Sequence, residues 1–139
     1  MTNSITFICA YNMTRSQISE YLFNKLNKNK KWKAISAGVF GGKYVEDKTL
    51  NKVGKKYGFK QKIPKALDRH LLSKQSIIVL VADDIPISLF SVYKKRGIKV
   101  LHWKIKDCWK RKSKNKEEAM EEIYLDIEKK IKSFVKQFN

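Results

Sequence analysis

The sequence predicts an α/β fold, a three-layer α/β/α sandwich around a four-stranded parallel sheet, and three observations carry that reading. Ile77-Ile78-Val79-Leu80-Val81-Ala82 is apolar without alternation, the pattern of a strand covered on both faces. Short apolar runs alternate with segments whose apolar residues recur every three or four positions, the βαβα order of a parallel sheet with right-handed crossovers. Glu117 to Phe138 carries Met120, Ile123, Ile127, Ile131, Phe134, Val135 and Phe138 at helical spacing, a long helix with one apolar face.

Taken in order, Ile5-Thr6-Phe7-Ile8 reads as the first strand, and Gln17 to Leu26, with Ile18, Tyr21, Leu22 and Leu26 on one face, as the first helix. Trp32 to Ser36 reads as the second strand, ending at Ala37-Gly38 and a Gly41-Gly42 loop. Asp47 can cap a second helix whose Leu50, Val53 and Tyr57 share a face, with Gly58 closing it. Phe59 to Ser76 reads as irregular. Ile77 to Ala82 is the third and central strand. Ile85 to Lys95 reads as a helix with Pro86 in its first turn and Gly97 past its end, and Lys99 to Trp103 as the fourth strand. Trp32, Tyr57 and Trp103 are expected in the core.

The 139 residues suit one domain, 1–139, with a core large enough to need no staples. Two cysteines, no signal-like apolar start and no membrane-length apolar run predict a reducing, cytoplasmic setting without a membrane partner. The formal charge of +18, from 31 Lys and Arg against 13 Asp and Glu, makes a surface that attracts anions. The basic residues are mostly Lys in short runs, as at Lys94-Lys95-Arg96 and from Lys110 to Lys116, with no nucleic-acid-binding motif among them. They read first as a solvated surface, second as steering for phosphorylated or acidic substrates, and only last as a nucleic-acid surface. His70 and His102 read as structural, and no cluster suggests a metal.

The chemistry concentrates in Cys9-Ala10-Tyr11-Asn12-Met13-Thr14-Arg15-Ser16, a thiol followed six positions later by an arginine, between a strand and a helix. In that setting successive backbone N–H groups can form a concave anion nest, and the helix start adds its positive dipole end. Asn12 tolerates a left-handed conformation, and Ser16 is a candidate N-cap. A thiolate is the reactive form of cysteine, and loop amides, the helix end, Ser16 and Arg15 all favour the anion. Arg15 can donate two hydrogen bonds from one planar fork to a phosphate, which Lys cannot. Ligands in parallel sheets bind beyond the strand C-termini, where Cys9 and Asp107 both fall.

Phe7-Ile8-Cys9 with Asn12 and Arg15-Ser16, Ser36-Ala37-Gly38, Ile77 to Ala82, and His102-Trp103 followed by Asp107 give the chain a resemblance along nearly its whole length. It resembles the low-molecular-weight protein tyrosine phosphatases and the thioredoxin-coupled arsenate reductases that share their fold. The resemblance implies Cys9 as nucleophile, Arg15 as phosphate clamp, Ser16 as the hydroxyl stabilising the thiolate, and Asp107 as general acid. It further implies that Asn12 shapes the loop, that Ser36 holds Asn12, and that Trp109 stands beside the entrance. No cofactor is implied. Tyr11, Thr14, Gln17 and Cys108 stand where the family usually has Gly, Cys, Pro and Pro, and Val81 to Phe90 lacks the relay cysteines of the reductases.

The expected reaction runs through a phosphocysteine, with Asp107 protonating the leaving oxygen and then deprotonating water, and without a metal. The partner is a phosphorylated protein or a small aryl phosphate, and phosphate or sulfate should occupy the loop Cys9 to Arg15. Against this, Asp107 could be a loop carboxylate beside lysines, Trp109 could be surface packing, and Tyr11 could pack outward or narrow the pocket mouth. Two other classes compete: a thiol redox enzyme using Cys9 with Cys108, and a non-catalytic phosphate- or nucleic-acid-binding module.

Overall fold

The computed structural model describes residues 3–41 and 44–139, so Gly42 of the expected glycine loop lies outside the described residues. Strands β1 (Asn3–Cys9), β2 (Trp32–Gly38), β3 (Ile77–Val81) and β4 (Lys99–Trp103) form one parallel sheet in the order β2-β1-β3-β4. Helices α1 (Arg15–Leu26), α2 (Lys48–Lys55), α3 (Arg69–Leu72), α4 (Ser91–Lys95) and α5 (Lys116–Val135) cover it. Phe7 faces Val79 and Ile8 faces Leu80 across the β1–β3 pair; β3 is apolar and buried throughout, and β1 is buried from Ile5 to Cys9 with Thr6 as its one polar residue in that stretch.

Alternation along those strands divides the core between two layers. Ile5, Phe7, Val79 and Val81 pack with Ile18, Leu22 and Phe23 of α1 and with Met120, Ile123, Ile127, Ile131 and Phe134 of α5. Ile8, Cys9, Ile78 and Leu80 face the other way, against Leu72 of α3, Tyr93 of α4, and Phe90 and Ile98 beside it. Trp103 is buried in the first layer, and Trp32 and Tyr57 pack against its edge.

Four expectations change. Ile85 to Lys95 is not one helix: Pro86 is extended at ψ 128°, a 3₁₀ turn covers Ile87–Phe90, and only Ser91–Lys95 is α-helical. The segment after Phe59 is not wholly irregular, because the Asp68 carboxylate accepts from His70 and Leu71 N–H and starts α3. Strand β2 runs on to Gly38. Ser16 does not cap α1, since Thr14 takes the N-cap position and Ser16 lies within the first turn. Asp47 does cap α2, accepting from Leu50 N–H at 3.0 Å, and Gly58 beyond it takes φ 77°, a conformation that favours glycine.

The strand order places a topological switch between β1 and β3, and the crevice beyond their C-terminal ends is where a ligand fits. Cys9 ends β1, Asp83 and Asp84 follow β3, and Asp107 follows β4.

Candidate active site

The loop from Cys9 to Arg15 is held by three neighbouring segments, the β2 end, residues 61–66 and the start of α1. Val39 N–H donates to Cys9 O at 3.0 Å and Phe40 N–H to Ala10 O at 2.8 Å, carrying the β1–β2 contact past the strand ends. At Gly38 an added Cβ would lie 2.7 Å from Asn12 N and from Tyr11 C, so a side chain there would push the loop out of place. Asn12 turns the chain at φ 57°, the left-handed conformation its residue type tolerates.

Side chains fix the loop with defined direction. Lys65 N–H, which can only donate, reaches Asn12 Oδ1 at 2.8 Å. The Asn12 amide therefore points its Nδ2 at Ser16 Oγ, 2.7 Å away. Ser16 Oγ accepts there and keeps its own proton for Cys9 Sγ at 2.9 Å, the donor a sulfur anion needs. Gln17 Nε2 donates to Asn12 O at 2.6 Å and to Lys62 O at 2.8 Å, while its Oε1 accepts from Lys62 N–H at 2.7 Å. Gln17 thus ties the loop to the 61–66 segment. Ser36 does not hold Asn12 as expected: its hydroxyl donates to Glu20 on α1 at 2.8 Å, and Lys65 and Ser16 already occupy the asparagine.

Helix α1 starts differently from α2, α3 and α5. The side chains of Asp47, Asp68 and Asn115 cap α2, α3 and α5, whereas Thr14 makes no side-chain cap bond. No side chain caps the start of α1, and a helix N-terminus left uncapped offers its first N–H groups and its dipole to an anion.

Cys9 and Arg15 are both only 3 % exposed, yet both line a cavity of about 190 Å³ together with Tyr11, Met13, Thr14, Asp47, Asp107, Cys108, Lys116 and Met120. Ala10 and Asn12 lie buried behind it. Arg15 Nη1 donates to Ile105 O at 2.9 Å and stands 3.4 Å from Asp84 and 3.6 Å from Asp83, while Nη2 is 3.7 Å from Asp107 Oδ2. One guanidinium therefore meets three carboxylates and a carbonyl, which together fix the direction of its fork at the cavity. Asp107 Oδ1 accepts from Cys108 N–H at 2.7 Å and begins a 3₁₀ turn over Cys108–Lys110.

The two aromatic candidates separate. Tyr11 lines the Cys9 cavity and also packs outward on Phe40, ring centres 5.6 Å apart, so it forms the cavity's rim. Trp109, 73 % exposed, lines instead an adjoining cavity of about 520 Å³ with Cys108, Arg111, Ser113, Asn115 and Lys116. It stands outside the wall of the first cavity. His102 Nε2 lies 2.7 Å from Ala82 O, a structural contact. Cys108 shares the cavity with Cys9, but burial first and the neighbouring Asp107 carboxylate second push its thiol above the usual range. Among the described residues no group of three or more His, Cys, Asp or Glu is arranged to hold a metal ion, and no helix is long and apolar enough to cross a membrane.

Asp83 and Asp84, which no motif in the sequence marks, also reach Arg15. Their signal was two acids immediately after the buried run Ile77 to Ala82, at the edge where ligands bind.

No curated protein sequence matches the chain. Solved structures share its fold. An arsenate reductase from Archaeoglobus fulgidus superposes with a TM-score of 0.69 at 25 % identity, covering 95 % of this chain and 98 % of that one. A low molecular weight protein tyrosine phosphatase from T. tengcongensis gives 0.79 at 22 % identity over 98 % and 99 %. The arginine phosphatase from Geobacillus stearothermophilus gives 0.76 at 19 % identity over 97 % and 92 %. The sequence profile of the low molecular weight phosphotyrosine protein phosphatases matches residues 4–139, from the start of the sheet through α5, and the chain belongs to that family.

Proposed function

We propose that this protein is a phosphomonoesterase acting on aryl phosphates, phosphotyrosine in proteins foremost, through a phosphocysteine on Cys9. The observation that carries the reading is the directed series of donors from Lys65 N–H through Asn12 and Ser16 to Cys9 Sγ, ending in a cavity that Arg15 and Asp107 also line.

The Cys9 thiolate attacks phosphorus while the α1 N–H groups and the Arg15 fork hold the phosphoryl oxygens. The S–P bond forms as the bond to the phenolic oxygen breaks, and the Asp107 carboxyl gives that oxygen its proton. Asp107, now a carboxylate, takes a proton from water. The resulting hydroxide breaks the S–P bond, releasing phosphate and restoring the thiolate.

Tyr11, Met13 and Met120 offer a phenyl ring apolar contact in the cavity, while Asp47 and Asp107 in the same lining would favour a guanidinium, so matched phosphotyrosine and phosphoarginine peptides decide between the two. A redox role through a Cys9–Cys108 disulfide is favoured by their shared cavity and opposed by the raised Cys108 pKa, since thiolate is the attacking form.

The test is turnover of para-nitrophenyl phosphate with a chelator present, followed by matched phosphotyrosine and phosphoarginine peptides. Wild type is expected to hydrolyse the aryl substrates, and Cys9→Ser to be inactive while still binding vanadate or phosphate. Equal rates for wild type and Cys9→Ser would remove the nucleophile assignment, and preference for phosphoarginine would remove the aryl one.

A further inference from the structure

Building on the phosphatase reading, we propose that Lys110 is a positioning residue for the general acid, tethering the Asp107 loop to the end of β3 through Asp83. Residues 104–115 connect β4 to α5, and their backbone bonds are local: Ile105 N–H to Trp103 O, Lys110 N–H to Asp107 O, and Arg111 N–H to Cys108 O. Cys108 follows the acid, and its φ is not fixed as a proline's would be. Side chains must therefore hold Asp107 over the cavity.

Those ties pull in two directions. Arg111 pairs with Asp126 at 2.7 Å, and Ser113 donates to Glu122, both on α5. Lys110 reaches the opposite side, its Nζ donating to both Asp83 oxygens at 3.2 Å. Both side chains are mostly covered, 25 % and 19 % exposed, so the pair is less screened than a surface ion pair. Asp83 is also 3.6 Å from Arg15, and Lys110 Nζ lies 5.0 Å from the centre of the Trp109 ring. One ammonium thus links the carboxylate beside the phosphate clamp, the turn that begins at Asp107, and the aromatic side chain next to it.

The pair also adjusts charge. Arg15 alone faces Asp83, Asp84 and Asp107, and Lys110 supplies a second cation to Asp83 where a phosphate dianion must enter. Without it the loop would keep its ties to α5 and lose those on the strand side, apart from the contacts Arg15 makes.

The experiment compares wild type, Lys110→Met and Lys110→Arg by backbone hydrogen exchange and by kcat/KM for phenyl phosphate and 2,4-dinitrophenyl phosphate. In Lys110→Met, exchange across residues 106–112 should accelerate by about 10-fold and remain unchanged in the sheet, as local loosening requires. Turnover of phenyl phosphate, which needs the acid, should fall roughly 10-fold, and that of the dinitrophenyl ester by less than about 2-fold, part of the 10²- to 10⁴-fold a placed acid supplies. Lys110→Arg should restore both readouts. Unchanged exchange would overturn the tether, and equal losses for the two esters would overturn its link to the acid. Absence of wild-type turnover would instead overturn the phosphatase reading, with the tether still read from exchange.

Discussion

From Cys9 to Arg15 the chain is braced by hydrogen bonds, buried within the loop and to α1 and part-buried to the 61–66 segment, and by backbone bonds to the β2 end, whereas from Asp107 to Arg111 it hangs on ion pairs at a half-exposed edge. The first region has almost no freedom: an amide that can only donate orients Asn12, which orients Ser16, which points at sulfur. The second is covalently loose and electrostatically placed. On the proposed reading, anion binding and nucleophile orientation would rest on the fold itself, and proton donation on charges that can be loosened separately. Changes in the first region should affect every substrate alike, and changes in the second should depend on the leaving group.

The comparison breaks furthest at Asp107. Asp107→Asn should lower kcat/KM by roughly 10²- to 10⁴-fold for a poor leaving group such as phenyl phosphate. An ester whose phenolate is already stable should lose far less, because it needs little proton donation in the transition state. Equal ratios near one for both esters would make Asp107 a loop carboxylate that only caps its own turn.

Arg15 joins the two regions, and Arg15→Lys should cost roughly 10²- to 10³-fold for both esters, as for the loss of a charge-stabilising donor. A lysine cannot reach Ile105 O, the carboxylates and a phosphate with one planar fork. Retained activity would mean that the helix N–H groups alone hold the phosphoryl group. Within the first region Ser16→Ala removes one directed donor and leaves the Asn12 amide without its acceptor, so a drop of about 10-fold, alike for both esters, is expected. A drop confined to one ester would show that the two regions are not separable.

The part of the site that lies along the chain was legible in the sequence, and the part that depends on strand order was not. The Cys9–Arg15 loop announced itself because a strand run, a loop and a helical face follow within 24 residues, from Asn3 to Leu26. Asp107 could be placed because it follows a strand at the ligand-binding edge. Asp83 and Asp84 act on Arg15 only because β3 lies beside β1, a neighbour relation no local pattern encodes. Gln17 stands out in the sequence only as a departure from the family's Pro, and it is the return of Lys62 to the loop that makes it a brace. Ser36 differs for another reason: its expected bond to Asn12 came from the resemblance, and here its hydroxyl is taken by Glu20 of α1. The helix over 85–95 failed for a local reason: Pro86 stays extended, and the nine residues after it split between a 3₁₀ turn and a short helix.

The smallest effect expected is on association, and it bears on the second region and the surface around it rather than on the buried loop. The chain carries a net +18, and Lys112 and Lys114 stand exposed just beyond the acid loop. Exposed charges act over about 8 Å at physiological ionic strength and less as salt rises. Their contribution to an encounter should therefore fade with salt, while the covered contacts of Arg15 persist. For an acidic phosphotyrosine peptide kcat/KM should fall a few-fold between about 0.05 and 0.5 M salt, through KM, since steering raises encounter rates and not chemistry. A small aryl phosphate should fall less, because it presents only its phosphate to the field. Equal salt dependence for peptide and small ester would place the sensitivity in the ion pairs of the acid loop itself, and the lysine-rich surface would then be solvated and nothing more.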